Sequence, residues 1–151
     1  MKVLAVLGIS FILAAVAIKV VNGEFNWVFS GNVAMCIMLC FTAIGHFVFV
    51  KGMAMMMPPF IPFKRVLVVL TGILEMAGGI GLLFPSYRNL AAILLIVFFI
   101  TILPANIYAA IKKVDFQKAS FEGPGFNYLW FRIPLQIFFI AWVWYFAIYK
   151  N

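Results

Sequence analysis

Long apolar segments follow one another along almost the whole chain and constrain its fold more than any other feature. A helix that crosses the hydrocarbon core of a bilayer needs roughly 17 to 25 apolar residues, and five segments reach that length. None of them alternates apolar and polar residues, as the strands of a membrane barrel do, so helices must satisfy the backbone within the lipid. The predicted transmembrane helices are residues 3–21, 32–50, 66–84, 90–111 and 128–149.

Composition excludes the alternative of a soluble domain. The chain of 151 residues is 67% hydrophobic and 10% charged, whereas a soluble domain is about half apolar and about a quarter charged. A soluble fold of this size could not bury so much apolar surface. Connections are short, and no repeat or second domain is visible. We therefore predict an all-α polytopic membrane helical bundle in which residues 1–151 form a single domain.

The basic residues are distributed unevenly between the connections. The net charge is +7, but the pattern favours a membrane orientation over binding to nucleic acid, because cytoplasmic loops carry an excess of Lys and Arg. With five spans this predicts a multi-pass inner-membrane protein with a cytoplasmic N-terminus and a C-terminus outside. The residues on the predicted cytoplasmic side are Lys2, Lys51, Lys64, Arg65, Lys112, Lys113 and Lys118, against Lys19, Arg88 and Lys150 near the other side.

The first apolar segment has two interpretations. Lys2, the apolar run and the sequence Ala15-Val16-Ala17 resemble a signal peptide with its cleavage site, and residues 1–17 would then be removed. The run is longer than the apolar region of a usual signal peptide, which favours a retained anchor. The predicted orientation is the same in both cases.

A few polar residues interrupt the predicted spans, and they fall within one half of the membrane. Glu75 lies near the middle of its segment, where a charge costs at least about 3 kcal/mol on insertion scales. Because consecutive helices alternate in direction, all these residues lie between the cytoplasmic rim and the midplane, and the other half has no comparable group. The candidate ligand-binding or proton-carrying residues are His46, Glu75, Asn106, Arg132 and Gln136.

The residues around Glu75 indicate which way its side chain points. Those three and four positions away are Thr71, Gly72, Gly78 and Gly79, and small residues are typical of helix contacts in membranes. We therefore expect Glu75 to point into the bundle, towards Arg132. One interpretation of this cluster is a buried ion pair that only fixes helix register. The other is a site that carries protons or binds an anionic or quinone-like head group.

The connection before the third span combines prolines with apolar residues. Its prolines prevent a regular helix, while its Met and Phe residues are too apolar for a solvated loop. Copper(I) binding through thioethers is one interpretation, but Met is also a common apolar filler, and a lid over the polar cluster fits better. The lid residues are Met57, Pro58, Pro59 and Pro62. No metal site is predicted, and Cys36 and Cys40 are interpreted as packing residues.

Two prolines lie inside predicted spans, each close to a polar amide. Pro104 precedes Asn106, and Pro134 precedes Gln136. A proline inside a helix leaves the carbonyl one turn earlier without its usual donor. Either the amides satisfy such carbonyls, or the prolines open the helices around a bound head group.

Motifs of known catalytic sites are absent from the sequence. It contains no G-x-x-x-x-G-K-[ST], no H-E-x-x-H and no G-x-S-x-G, which are the patterns of nucleotide-binding, metalloprotease and serine hydrolase sites. A single His excludes bis-histidine haem ligation within one chain. No catalytic residue is predicted, and whether the protein is an enzyme stays open.

Four segments, MMMPPFIPFKR, LTGILEMAGGIGLLFP, LPANIYAAI and LWFRIPLQ, together resemble the DoxX-like family of small integral membrane proteins. The similarity in order and spacing covers about Gly45 to Trp144. It implies a four-helix core, to which this chain adds one N-terminal helix. The family residues match His46, Glu75, Asn106 with Pro104, and Arg132 with Gln136.

The resemblance implies a function as well as a fold, since named DoxX-like proteins accompany quinone-linked membrane oxidoreductases. The leading hypothesis is an accessory subunit of a membrane redox system, with the lipid bilayer and a membrane oxidoreductase as partners and a quinone as the possible ligand. A small-solute or proton transporter is the second hypothesis. The third is an assembly factor that binds client helices through the glycines of the third span and the aromatic fifth span.

Overall fold

A computed structural model describes residues 2–150, and helices account for most of them. The described part contains no β-strand beyond an isolated bridge between Asp115 and Ser120. Six α-helices follow in chain order, and the last continues as a π-helical segment over Trp144–Tyr149. They are α1 (Lys2–Asn22), α2 (Trp27–Val48), α3 (Val50–Met55), α4 (Lys64–Gly81), α5 (Pro85–Ile111) and α6 (Phe126–Val143).

Local signals explain why two helices begin five residues earlier than predicted. Asn26 caps α2, and its side chain accepts a hydrogen bond from the amide of Phe29, which is the usual role of Asn at a helix start. Pro85 is at the start of α5, where its missing N–H costs nothing. The predicted starts at residues 32 and 90 were therefore about one turn too late.

Among residues 2–150, four helices are long and apolar enough to cross a membrane, which confirms a helical membrane bundle. They are Lys2–Asn22, Trp27–Val48, Pro85–Ile111 and Phe126–Tyr149. The segment predicted as the third span forms α4, which is not one of these four because its 18 residues include the three charged residues Lys64, Arg65 and Glu75. At 1.5 Å per residue α4 is about 27 Å long, close to the thickness of the hydrocarbon core.

The helices pack in a ring that brings α4 and α6 to opposite sides of the interior. Helix α4 packs against α2 and α5, and α5 packs against α6. The π-helical segment closes the ring against α2, and α1 packs on the outer side of α2. Apolar residues fill the ring, with Leu39, Leu82 and Leu95 almost completely buried.

Glycines allow α4 to approach its neighbours closely. A Cβ atom on Gly72 would lie 2.6 Å from Cβ of His46, and one on Gly78 would lie 2.6 Å from a methyl of Leu95. Both distances are shorter than atoms tolerate. The expectation that the glycine face of the third span makes helix contacts therefore agrees with the packing, and that face is covered by α2 and α5.

Buried polar groups also occur at the end of the bundle where α2 and α5 begin, which corrects the expectation that this half has none. Asn32 donates to the carbonyl of Phe146 (3.2 Å) as well as to that of Val28. Arg88 is buried, and its Nε donates to the carbonyl of Leu82 at 3.0 Å. The sequence prediction placed Arg88 near the membrane surface because it started the fourth span at residue 90, whereas the helix begins at Pro85.

Candidate functional site

His46 and Glu75 meet where α2 crosses α4. His46 Nε2 lies 3.4 Å from Glu75 Oε2, somewhat longer than a hydrogen bond between these atoms. Glu75 is buried, with 6% of its surface exposed. No Arg132–Glu75 pair lies within 4.0 Å among residues 2–150, so the basic group nearest to the carboxyl is the imidazole rather than the predicted guanidinium.

The second ring nitrogen of His46, Nδ1, determines which proton the imidazole and the Glu75 carboxyl can exchange. Nδ1 lies 3.0 Å from the carbonyl oxygen of Val68 on α4. A carbonyl only accepts hydrogen bonds, so this contact assigns a proton to Nδ1. Nε2 then faces Glu75 with either a lone pair or a second proton. The imidazole and the carboxyl can therefore exchange one proton between Nε2 and Oε2 without moving the ring.

Threonine hydroxyls on the two helices hold this pair in place. Thr42 Oγ1 donates to Glu75 Oε1 at 2.6 Å. Thr71 Oγ1 donates to the Val68 carbonyl at 2.8 Å and lies 3.1 Å from His46 Nδ1. Both contacts fix side chains that would otherwise rotate, so the carboxyl and imidazole are positioned by α2 and α4 together.

A second polar pair lies between α5 and α6. Tyr128 Oη donates to Asn106 Oδ1 at 3.1 Å. Asn106 is buried, with 3% of its surface exposed. The hydrogen bond orients the amide so that its oxygen meets the phenol, and the Nδ2 group is left for another partner.

Arg132 on α6 connects the two pairs electrostatically. Its guanidinium lies close enough to Glu75, His46 and Tyr128 for a Coulomb interaction with each. Because α4 and α6 lie on opposite sides of the ring, the interaction with Glu75 acts across the interior of the bundle. The structure thus brings together four of the predicted residues, His46, Glu75, Asn106 and Arg132, at the end of the bundle where α2 and α5 finish.

Gln136 follows Arg132 by one turn and bonds to the neighbouring helix. Its Nε2 donates to the carbonyl of Phe99 on α5. Pro104 leaves the adjacent carbonyl, that of Ile100, without its usual helical donor. The Gln136 amide therefore bonds to the carbonyl next to the one that Pro104 frees, so both interpretations of the prolines stay open, and α5 and α6 both remain helical through their prolines.

Four of the predicted site residues each carry a buried polar atom that has no hydrogen-bond partner in the described part of the protein. In a membrane interior such an unpaired group costs several kcal/mol. The set contains two donor groups, one acceptor and one carboxyl oxygen. The atoms are Asn106 Nδ2, Arg132 Nε, Gln136 Oε1 and Glu75 Oε2.

The predicted lid residues lie at this end of the bundle, but the hydrogen bonds of Met57 and Pro58 are to residues outside the polar cluster. Lys64 Nζ donates to the carbonyl of Met57 at 3.0 Å, and Pro58 accepts from the amide of Ile61. Their role as a lid stays a prediction. Cys36 is buried and Cys40 is partly buried, and residues 2–150 contain no group of three or more His, Cys, Asp or Glu that could hold a metal ion.

Three contributors to the site were not predicted as site residues, although the sequence places Thr71 on the same face as Glu75, and they share one signal. Thr42, Thr71 and Tyr128 each precede a predicted residue by four positions, namely His46, Glu75 and Arg132. Residues four apart share a helix face. Extending each predicted polar residue by one turn along its own face would have found all three.

Comparison with known proteins gives a family without an assigned activity. The model of the family described as "Domain of unknown function (DUF8561)" matches residues 25–147, so the chain belongs to this family. The match covers α2 to α6 and the polar cluster, while α1 precedes it. No curated protein and no solved structure matches the chain.

Proposed function

We propose that this member of the DUF8561 family is an accessory subunit of a membrane redox system that binds a quinone head group among Glu75, Asn106, Arg132 and Gln136. The single observation that carries the proposal is that four of the five buried polar atoms without a hydrogen-bond partner among the described residues belong to predicted site residues, the fifth being Ser120 Oγ. The four residues lie on α4, α5 and α6. A polar head group on an apolar molecule is the kind of ligand that a membrane-embedded cluster can receive.

The residues present fit a quinone in both of its redox forms. Arg132 Nε and Asn106 Nδ2 are hydrogen-bond donors, and the carbonyl oxygens of a quinone would accept hydrogen bonds from them. Gln136 Oε1 is an acceptor, and Glu75 Oε2 accepts when ionised, so both suit hydroxyl groups. A bound quinone would supply the redox chemistry. The chain itself would orient the head group and hold a proton at His46 Nε2 or Glu75 Oε2, whose contact is 3.4 Å.

The similarity to DoxX-like proteins supports the redox setting, because named proteins of that family accompany quinone-linked oxidoreductases. We further propose that α4 crosses the membrane as the third of five spans. The N-terminus then lies in the cytoplasm and the C-terminus outside, as the basic residues favour. The partner is a membrane oxidoreductase that exchanges the quinone with this subunit.

The experiment is a measurement of quinone retention by purified protein. The protein is extracted in mild detergent, incubated with a short-chain ubiquinone analogue and passed through a desalting column, and the bound quinone is quantified by absorbance. Arg132→Met removes a donor while keeping an apolar chain of similar length, and we expect at least a tenfold loss of affinity, the effect of about 1.4 kcal/mol. Arg65→Met is the matched control, since Arg65 is exposed and lies outside the cluster.

Two outcomes would overturn the proposal. One is wild-type protein that binds no more quinone than the Arg132→Met variant. The other is an equal loss in the Arg65→Met variant, which would show that charge rather than the cluster decides retention.

A proton-conducting function has one observation in its favour, the exchangeable proton between His46 and Glu75. Side-chain exposure is 20% for the imidazole and 8% for the carboxyl, so the imidazole lies nearer to the protein surface than the carboxyl does. The buried polar groups at the other end, Asn32 and Arg88, bond to backbone carbonyls. Proton exchange between the His46–Glu75 pair and one side of the membrane therefore fits better than proton conduction through the protein. A transporter remains the alternative to the quinone-binding function.

A further inference from the structure

A second polar site lies apart from the cluster, where the loop before α4 meets the end of α5. A groove of about 630 Å³ opens there. Its walls come from α3, the proline loop, the first turn of α4, one residue of α5 and one of the connection between α5 and α6. The lining residues are Lys51, Ala54, Met55, Met57, Pro59, Phe63, Lys64, Arg65, Val66, Tyr108 and Phe121.

The charged residues of the groove all have the same sign. Lys51, Lys64 and Arg65 contribute three cations, and no carboxylate lines the groove. None of the three lies within 4.0 Å of an Asp or Glu in the described chain. Lys64 Nζ contacts the Met57 carbonyl, which leaves its charge uncompensated. Three cations without a neighbouring anion attract a negatively charged ligand.

Two aromatic residues of the lining are unusually exposed. Phe63 is 80% exposed and Phe121 is 61% exposed, and the neighbouring Phe60 is 83% exposed. Aromatic and basic side chains together are typical of the membrane–water boundary. Exposed apolar residues beside cations suit a molecule with an anionic head and a hydrocarbon tail.

We propose that this groove binds the head group of an anionic phospholipid, with its phosphate between Lys51, Lys64 and Arg65 and its acyl chains along Met55, Phe63 and Tyr108. Basic pockets between membrane helices bind anionic lipids in this way, and each Lys or Arg contributes about 1 kcal/mol at the surface. The site is independent of the polar cluster, so its ligand does not depend on the proposed quinone function.

The test is a lipid titration of delipidated protein followed by native mass spectrometry. Phosphatidylglycerol is compared with phosphatidylcholine of the same acyl chains, and we expect one phosphatidylglycerol to bind at least tenfold more tightly. The double variant Lys51→Gln/Arg65→Gln should weaken that binding about 25-fold, which corresponds to the two charges removed. Lys51→Arg/Arg65→Lys keeps both charges and should bind as the wild type does.

The matched control removes two cations from the same side of the protein but outside the groove. Lys112→Gln/Lys118→Gln changes residues that are exposed and do not line it, and binding should stay within about twofold because neither charge faces the groove. Equal binding of the two lipids, or an equal loss in both double variants, would overturn the proposal. Competition by sn-glycerol 3-phosphate at the lipid's own concentration would also overturn it, since the site would then bind a free phosphate.

Discussion

The two ends of the bundle bury polar side chains in different ways. At the end where α2 and α5 begin, Asn32 and Arg88 donate to the carbonyls of Phe146 and Leu82. Trp142 donates to the carbonyl of Gly31 at the same end, at 3.0 Å. These contacts join helices through backbone atoms that cannot change their charge or their partners. Polar side chains that only stabilise helix packing in a membrane protein make contacts of this kind.

At the opposite end the polar side chains meet one another. Thr42, His46 and Glu75 form one chain of contacts, and Asn106 bonds to Tyr128. Buried polar atoms remain there without a partner among residues 2–150. Such atoms lower stability unless something binds them. The difference agrees with our proposal that the second end binds a ligand, whereas the contacts at the first end stabilise the fold.

The strongest test of this comparison replaces one arginine at each end by methionine. Arg88→Met removes the donor to the Leu82 carbonyl, and we expect a loss of about 2–3 kcal/mol in the free energy of unfolding, because a buried acceptor loses a charged donor. Arg132→Met should cost less than about 1 kcal/mol, since Nε has no such bond and the apolar chain is retained.

Unfolding by SDS titration in mixed micelles, followed by circular dichroism, measures both values. If Arg132→Met destabilises the protein as much as Arg88→Met does, the polar cluster is structural and the comparison between the two ends fails. Quinone retention in the two variants should show the reverse order, with the larger loss in Arg132→Met.

Glycine contacts offer a second test at each end. Gly31→Ala would place a Cβ 2.4 Å from the ring of Phe146, and Gly72→Ala would place one 2.6 Å from Cβ of His46. Overpacking of this kind costs about 1–2 kcal/mol. Both variants should therefore lose stability, but only Gly72→Ala should also weaken quinone retention, because it displaces the imidazole.

Gly8→Ala is the control for these variants. Nothing lies within 4 Å of the added methyl, and Ala favours a helix over Gly by about 1 kcal/mol, so stability should be unchanged or slightly raised. The same unfolding titration measures all three. Loss of quinone retention in Gly31→Ala would contradict the separation of the two ends.

Removal of the Thr42 hydroxyl beside Glu75 should have a smaller effect on stability. Thr42→Val removes the donor to Oε1 and should cost about 1 kcal/mol, the usual contribution of one hydrogen bond. The carboxyl stretching band of Glu75, identified by its loss in Glu75→Gln, should shift in the infrared spectrum. Thr101→Val is matched to it, since Thr101 bonds only to the Val97 carbonyl of its own helix, and it should leave that band unchanged.

Most of the fold could be predicted because each of the five longer helices is an apolar run bounded by local signals. The predicted starts at residues 32 and 90 were too late because a capping Asn and a Pro begin the two helices earlier. The order of packing around the ring could not be predicted. This order depends on which helix faces are complementary in shape, as Gly72 leaves room for His46. A single sequence does not specify which faces these are.

The candidate site could be predicted as a set of residues but not as a set of contacts. Depth and helix face predicted one end of the bundle for His46, Glu75, Asn106 and Arg132, where the structure also places them, while their role stays a prediction. They did not determine that the imidazole rather than the guanidinium would lie nearest to Glu75, because α6 lies across the ring from α4. Diagonal and adjacent helices look alike in sequence, and a few ångströms between them decide which groups pair.

The smallest expected effect concerns proton movement across the membrane. The exchangeable proton of His46 and Glu75 lies at one end of the bundle, while Arg88 and Asn32 donate to carbonyls at the other. Proteoliposomes with an imposed pH gradient and an entrapped pH-sensitive dye should therefore show no flux above that of protein-free vesicles. Flux that appears in wild-type protein and disappears in Glu75→Gln would mean that protons pass the end we describe as structural. In that case Arg88→Met, which opens this end, should increase the flux, and transport would replace ligand binding as the function of the cluster.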